Sequence, residues 1–262
     1  MPTTRPTATT PESVASKTND ARMPLRAHLA EFRKRLLWAV AGVGAGAIGG
    51  WFLYTPVFDL LQQPILDAAA RSDGVIAINF SGIATALDLR LKISVFIGFI
   101  VSSPWWLYQL WAFVGPALRR REKLYTLGFL GAAVPLFGLG IYLALWALPT
   151  AVVVLTGFVP AGSSNLNDAN TYLTFAMRLM LGFGIGMVFP VLMVALSWLG
   201  VVSARSWLRG WRWAVVLIFV FSAMMTPTAD ALTMVVMAIP MLVLYFAAIG
   251  IGALKRRPKE AQ

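Results

Sequence analysis

The chain has no cysteine, a single histidine at His28 and only 11 acidic side chains among 262 residues. The first absence excludes a disulfide framework, thiolate metal ligation and a thiol nucleophile. One histidine cannot supply a multi-histidine metal site. Also missing are a Gly-rich phosphate loop closing on Lys-Ser or Lys-Thr, an HExxH, a GxSxG and any pair of carboxylates inside the apolar stretches. The sequence therefore offers no constellation for catalysis and implies no cofactor. Charge of either sign is scarce, at 13% of residues, about half the share found in soluble domains.

What is present is apolar surface. Hydrophobic residues make up 58% of the chain and the mean hydropathy is +0.73, too apolar for a soluble domain of this length. The reading is an integral membrane protein. A net charge of +11 would suggest a nucleic-acid partner in a soluble chain, but here its placement decides its meaning. Residues 93–118 carry no charge, and Arg119, Arg120, Arg121, Glu122 and Lys123 follow without a gap. Such a switch marks a helix leaving the bilayer on its cytoplasmic side.

The expected fold is all-α, with six transmembrane helices, both termini cytoplasmic and an N-terminal amphipathic interfacial helix. Residues 1–22 are rich in Thr, Ser and Pro and predict a disordered cytoplasmic tail; no apolar run there suggests a cleaved signal, and Met23 is an alternative start. Leu25, Leu29, Phe32 and Leu36 recur at helical spacing among charged residues, predicting an amphipathic helix at the interface. The membrane domain covers 23–254 and a basic cytoplasmic tail covers 255–262. The first span is 36–58, with Gly42, Gly46 and Gly50 on one face for close helix packing. Residues 59–92, with Pro56 and Pro64 as breakers, are expected as an outside loop, and 93–113 as the second span. Pro149 is expected to end the third span, before a loop closing in AGSSNLNDAN. The fourth span covers roughly 172–199; the fifth and sixth, 213–229 and 231–254, are expected to be short. On this topology 18 of the 22 Lys and Arg lie on the side of the termini, all but Arg71, Arg90, Lys92 and Arg178, which orients that side to the cytoplasm.

Isolated charges are the candidates for function. Glu31 and Glu122 are acids inside the most basic cytoplasmic stretches, HLAEFRKRL and LRRREKL. Each has a plain reading, an i to i+4 pair of Glu31 with Arg35 and neutralisation of Glu122 by its arginine neighbours. Each also has a functional one, joint acceptance of a cationic ligand, best a guanidinium, which pairs bidentately with carboxylate. Arg178 lies inside the fourth span, where snorkelling toward Asp230 or Asp88 would relieve its cost. Asp230, in the turn after Thr226 and Pro227, is placed to cap the sixth helix.

The segments HLAEFRKRL (28–36), SSPWWLYQLWAFVGPALRRREKL (102–124), FGIGMVFPV (183–191), TPTAD (226–230) and AIPM (238–241) resemble, in order and spacing, TatC, the six-span core subunit of the twin-arginine protein translocase. The resemblance covers essentially 24–254. It implies a signal-peptide receptor, not an enzyme, in the bacterial inner membrane. It also implies export of folded proteins whose signals carry an Arg-Arg pair, driven by the proton motive force. Implied partners are single-span TatA- and TatB-like subunits, signal peptides, membrane lipids and further copies of the chain within the complex, with no nucleic acid. The family's recognition residues carry over onto Glu31, Arg33, Phe113 and Glu122, with Arg119, Arg120 and Arg121 beside the last. Arg178, Thr226 and Asp230 are the implied partner-facing or structural polar positions. Two departures stand out: Val188 and Phe189 lie where family members commonly carry a glutamate before the xP step, and Phe246 replaces another in the sixth span. The alternatives are a divergent paralogue without receptor function and a small secondary transporter. The latter usually shows midplane charges and an internal repeat that this sequence lacks.

Overall fold

A computed structural model describes residues 25–70, 76–80, 82–114, 123–156, 165–198, 201–225 and 231–254. The expected tails, Arg119, Arg120, Arg121 and Glu122, and Thr226 and Asp230 all lie outside the described residues. Within them the helices are α1 (Leu25–Phe52), α2 (Tyr54–Ala70), α3 (Thr85–Val101), α4 (Ser103–Val114), α5 (Lys123–Thr156), α6 (Ala169–Trp198), α7 (Ala204–Arg209), α8 (Trp211–Met225) and α9 (Ala231–Leu254). Three are long and apolar enough to cross a bilayer, over His28–Phe52, Thr126–Val153 and Ala169–Trp198. Their outer faces expose large apolar side chains such as Ile48, Phe52, Trp146 and Phe189. That is a lipid-facing surface.

Several expectations change. The amphipathic stretch 25–36 is not a separate interfacial helix: α1 runs unbroken for 28 residues, about 42 Å at 1.5 Å per residue. The outside loop 59–92 contains α2, because Pro56 falls in the first turn, where a missing N–H costs little, and Leu61 and Ile65 are fully buried one turn apart around Pro64. The stretch expected as the second span, 93–113, is divided between two helices, broken at Ser102. Pro104 has no amide to donate to the Ile100 carbonyl one turn back and its ring crowds that carbonyl, and α4 restarts with the Trp105 and Trp106 amides donating to the Ser102 carbonyl. Pro149 does not end α5, which continues to Thr156. Leu148, Ala151 and Val152 are buried on the side that packs against neighbouring helices, and this burial outweighs the lost backbone bond. Of the two stretches expected as the final spans, α8 is short at 15 residues, whereas α9 is 24 residues long.

A small strand pair was also not expected. Ile76–Asn79 (β1) and Asn165–Asp168 (β2) pair in parallel, Ile76 opposite Asn165 and Asn79 opposite Asp168. This joins the α2–α3 connection to the segment entering α6. At that entry the Asp168 carboxylate accepts from the Thr171 amide and hydroxyl, both at 3.0 Å, as an N-terminal cap does. Nearby, Lys92 donates to Asp88 at 2.7 Å and Asn170 at 2.8 Å, and the buried Tyr172 hydroxyl donates to the Leu61 carbonyl. The Arg90 guanidinium lies over the Trp51 ring at 4.3 Å.

The core forms around α6, whose buried side chains run from Ala169 to Met193 between α5, α9 and α3. Against this body α1 is held by close backbone approach. A Cβ on Gly46 would lie 2.8 Å from the Gly98 carbonyl oxygen, one on Gly50 would strike the Ser94 carbonyl, and one on Gly98 would strike the Ala47 amide. These glycines do what their four-residue spacing predicts. Gly44 and Gly49, by contrast, face open space. Gly98→Ala is expected to destabilise the protein by about 1–3 kcal/mol, since backbone atoms cannot move aside. Gly49→Ala should be neutral or stabilising by about 0.5–1 kcal/mol through its helix propensity. Denaturant titration of the detergent-solubilised protein checks both; equal effects would refute the assigned contact face.

Candidate functional site: a groove between α1 and α4

The basic segment of α1 and the aromatic start of α4 form the two walls of one open groove. Glu31, Lys34, Arg35 and Trp38 recur at three- and four-residue steps and so share a face of α1. Trp105, Tyr108 and Gln109 do the same on α4. Together with Ala30 they line a groove of about 560 Å³. The walls are fixed to each other at one end, where the Trp105 indole donates to the Trp38 carbonyl at 2.8 Å and the two rings meet edge to face at 6.4 Å. Gly42 permits this, because a Cβ there would strike the Trp105 ring. At the other end Phe113 stacks on His28 at 4.7 Å and meets Phe32 edge-on at 5.2 Å.

Glu31 is partly buried, and one of its oxygens accepts both Arg35 bonds, from Nε at 3.0 Å and Nη2 at 2.7 Å. The i to i+4 pair expected from the sequence is therefore present. With Lys34 on the same wall, the lining side chains carry two positive charges against one negative. Glu31 by itself is not a strong trap for a cation. A guanidinium entering the groove must take the second carboxylate oxygen or displace Arg35, and it gains contact with the faces of Trp38, Trp105 and Tyr108.

Of the residues expected to act, the structure brings Glu31 and Phe113 to the same α1–α4 contact. Arg33 is exposed and does not line the groove. Arg178 is exposed on α6 with no hydrogen-bond or ion-pair partner among the described residues, and Asp88 pairs with Lys92 instead. The snorkelling contact to Asp88 is therefore absent. Trp38, Trp105, Tyr108 and Gln109 were not singled out; the available signals were the spacing of Trp38 from Glu31, Lys34 and Arg35 along α1 and that of Trp105, Tyr108 and Gln109 within PWWLYQL. Val188 is buried in the core cluster, so a carboxylate at that position would need a buried partner. Phe246 is exposed on α9, edge-on to Tyr245.

The family described as Sec-independent protein translocase protein (TatC) matches residues 27–240. A protein of Xylanimonas cellulosilytica named Sec-independent protein translocase protein TatC is 55% identical over 231 residues, which is 88% of this chain and 84% of that protein. A protein of the same name from Rothia mucilaginosa is 36% identical over 244 residues, 92% of this chain and 83% of that one. Among solved structures, a crystal structure described as twin arginine translocase receptor TatC aligns with a TM-score of 0.74 at 31% identity, covering 88% of this chain and all of the other.

Because the chain has no native cysteine, introduced pairs report contacts without background. Oxidation of His28→Cys with Phe113→Cys should crosslink α1 to α4 readily. Leu37→Cys with Phe113→Cys, about 13 Å farther along α1, should not. Equal yields would show that the end of α4 is not seated on the start of α1.

Proposed function

This chain belongs to the TatC family of Sec-independent protein translocase proteins, and we propose that it is the signal-peptide receptor of a translocase exporting folded proteins with twin-arginine signals. The observation that carries this reading is the groove that sets the Glu31 carboxylate among Trp38, Trp105 and Tyr108. A carboxylate beside flat aromatic faces suits a guanidinium, which forks onto the first and stacks on the second, better than it suits an ammonium.

In the proposed mechanism the signal's arginines pair with Glu31 and Glu122, the latter flanked by Arg119, Arg120 and Arg121. Because Arg35 already neutralises Glu31, Glu122 supplies the larger share of the attraction. Phe113 fixes the geometry by holding α1 against α4, and the exposed Arg33 faces lipid headgroups or the signal backbone. The signal's apolar segment then lies against the apolar helices. The chain spans the bacterial plasma membrane six times, with α3 and α4 together forming the second span and both termini in the cytoplasm. It works in a complex with further copies of itself and with single-span TatA- and TatB-like subunits, and the proton motive force drives transport. Arg178, Thr226 and Asp230 serve partner docking or local structure. The domain limits follow the same reading, with cytoplasmic tails at 1–22 and 255–262 around a membrane domain of 23–254.

Crosslinking of a twin-arginine signal peptide to this protein in membranes tests the reading. Glu122→Ala and a Lys-Lys signal should each reduce the crosslink at least tenfold, equivalent to about 1.4 kcal/mol. Glu31→Gln should reduce it less. Equal crosslinking throughout, with the variants shown to be inserted and folded, would overturn the receptor assignment.

A further inference from the structure

Gln109 lines the α1–α4 groove, yet neither charge pairing nor ring stacking uses its carboxamide. It lies one turn from Trp105 and one turn from Phe113 along α4. It therefore sits midway between the two contacts that hold α4 on α1, Trp105 with Trp38 and Phe113 with His28. Glu31, Lys34 and Arg35 line the same stretch from the α1 side. Only 7% of Gln109 is exposed, and what is open faces the groove. Its carboxamide makes no hydrogen bond to any described residue. An amide so nearly removed from water, with its acceptor and its two donor hydrogens unused, is costly in the chain alone. A leucine would fill the place without that cost, so the amide marks where a polar group of a ligand belongs.

The other lining groups decide which polar group that is. Glu31 only accepts, and Lys34 and Arg35 only donate. The Trp105 indole N–H is taken by the Trp38 carbonyl. Tyr108 can do both but is exposed, so water serves its hydroxyl. The backbone groups of α1 and α4 are bonded within their own helices. Gln109 is thus the shielded lining side chain that can donate and accept at once. A peptide group carries the same pair, one N–H and one C=O, and in an extended chain entering the groove both lose water and need partners. A guanidinium matches Gln109 less well: it would take the carbonyl oxygen and leave the amide hydrogens facing a cation, on walls that already carry Lys34 and Arg35. A helical ligand offers free peptide groups only at its ends.

We propose that Gln109 is a positioning residue that pairs with a backbone peptide group of the signal beside its arginine pair, fixing the register in which the arginines reach the carboxylates. This rests on the receptor reading and adds to it a contact blind to side-chain identity. Gln109 sets how well any signal seats, and the carboxylates set the preference for arginine.

Binding of labelled synthetic signal peptides to the full chain in membrane vesicles tests it. The peptides are an Arg-Arg signal, a Lys-Lys signal, and an Arg-Arg series in which one backbone N–H at a time around the pair is replaced by an ester oxygen. Gln109→Met keeps the bulk and the helix propensity and removes both hydrogen-bonding groups. It should weaken the Arg-Arg and Lys-Lys signals by the same factor, about fivefold, leaving the preference for arginine intact. At one position the ester should weaken binding to the parent about fivefold and weaken binding to Gln109→Met no further, the coupling expected of two groups that bond each other. A loss through disturbed packing would lack that coupling and would lower the yield of the His28→Cys with Phe113→Cys crosslink, which should stay unchanged when Gln109→Met is added. Three results would overturn the assignment and leave the receptor reading in place: parent-like binding by Gln109→Met, a loss confined to the Arg-Arg signal, or ester effects equal in both proteins. A parent that does not prefer Arg-Arg over Lys-Lys would overturn the receptor reading and this inference with it.

Discussion

Close contact between the backbones of α1 and α3 is the constraint on which the functional surface rests. Where Gly46 meets Gly98 and Gly50 meets the Ser94 carbonyl, no side chain separates the two helices. α4 restarts one residue beyond α3, at Ser103, so its position is inherited from that contact. Trp105 then lands against Gly42 and donates to the Trp38 carbonyl. Phe113, two turns on, reaches His28 and Phe32. The groove around Glu31 is thus a consequence of Gly42, Gly46 and Gly50, placed about one, two and three turns beyond Trp38 along α1.

Electrostatics within the groove limits what its carboxylate can do alone. Arg35 occupies one oxygen of Glu31 with two bonds, and Lys34 adds a further positive charge on the same wall. The recognition reading therefore assigns the groove to shape and aromatic stacking as much as to charge. It divides the attraction with Glu122. The opposite corner of the molecule differs in character, with the exposed Arg205, Arg209 and Arg212 next in sequence to residues of an apolar cleft.

Much of this was legible in the sequence, for identifiable reasons. The glycine spacing in α1 read correctly because close packing imposes a strict four-residue repeat, and the i to i+4 pair of Glu31 with Arg35 follows from helix geometry alone. Proline read less well. Pro64 and Pro149 continue their helices because buried neighbours hold them, whereas the break at Ser102 follows from Pro104, a local signal that a long uncharged run concealed. The parallel pairing of β1 with β2 joins segments almost ninety residues apart and leaves no local periodicity to read. The aromatic wall of the groove was present in PWWLYQL, but tryptophans near span ends already have a sufficient explanation as interfacial anchors.

The central claim is that a signal's arginine pair sits between α1 and α4. A photo-crosslinking amino acid in place of Tyr108, on the groove wall, tests this against one in place of Leu217, on the other face of the bundle. The account predicts adducts from position 108 to residues beside the Arg-Arg pair, lost with a Lys-Lys signal, and none of that kind from position 217. Adducts to the Arg-Arg region from position 217 alone, with position 108 silent, would contradict it.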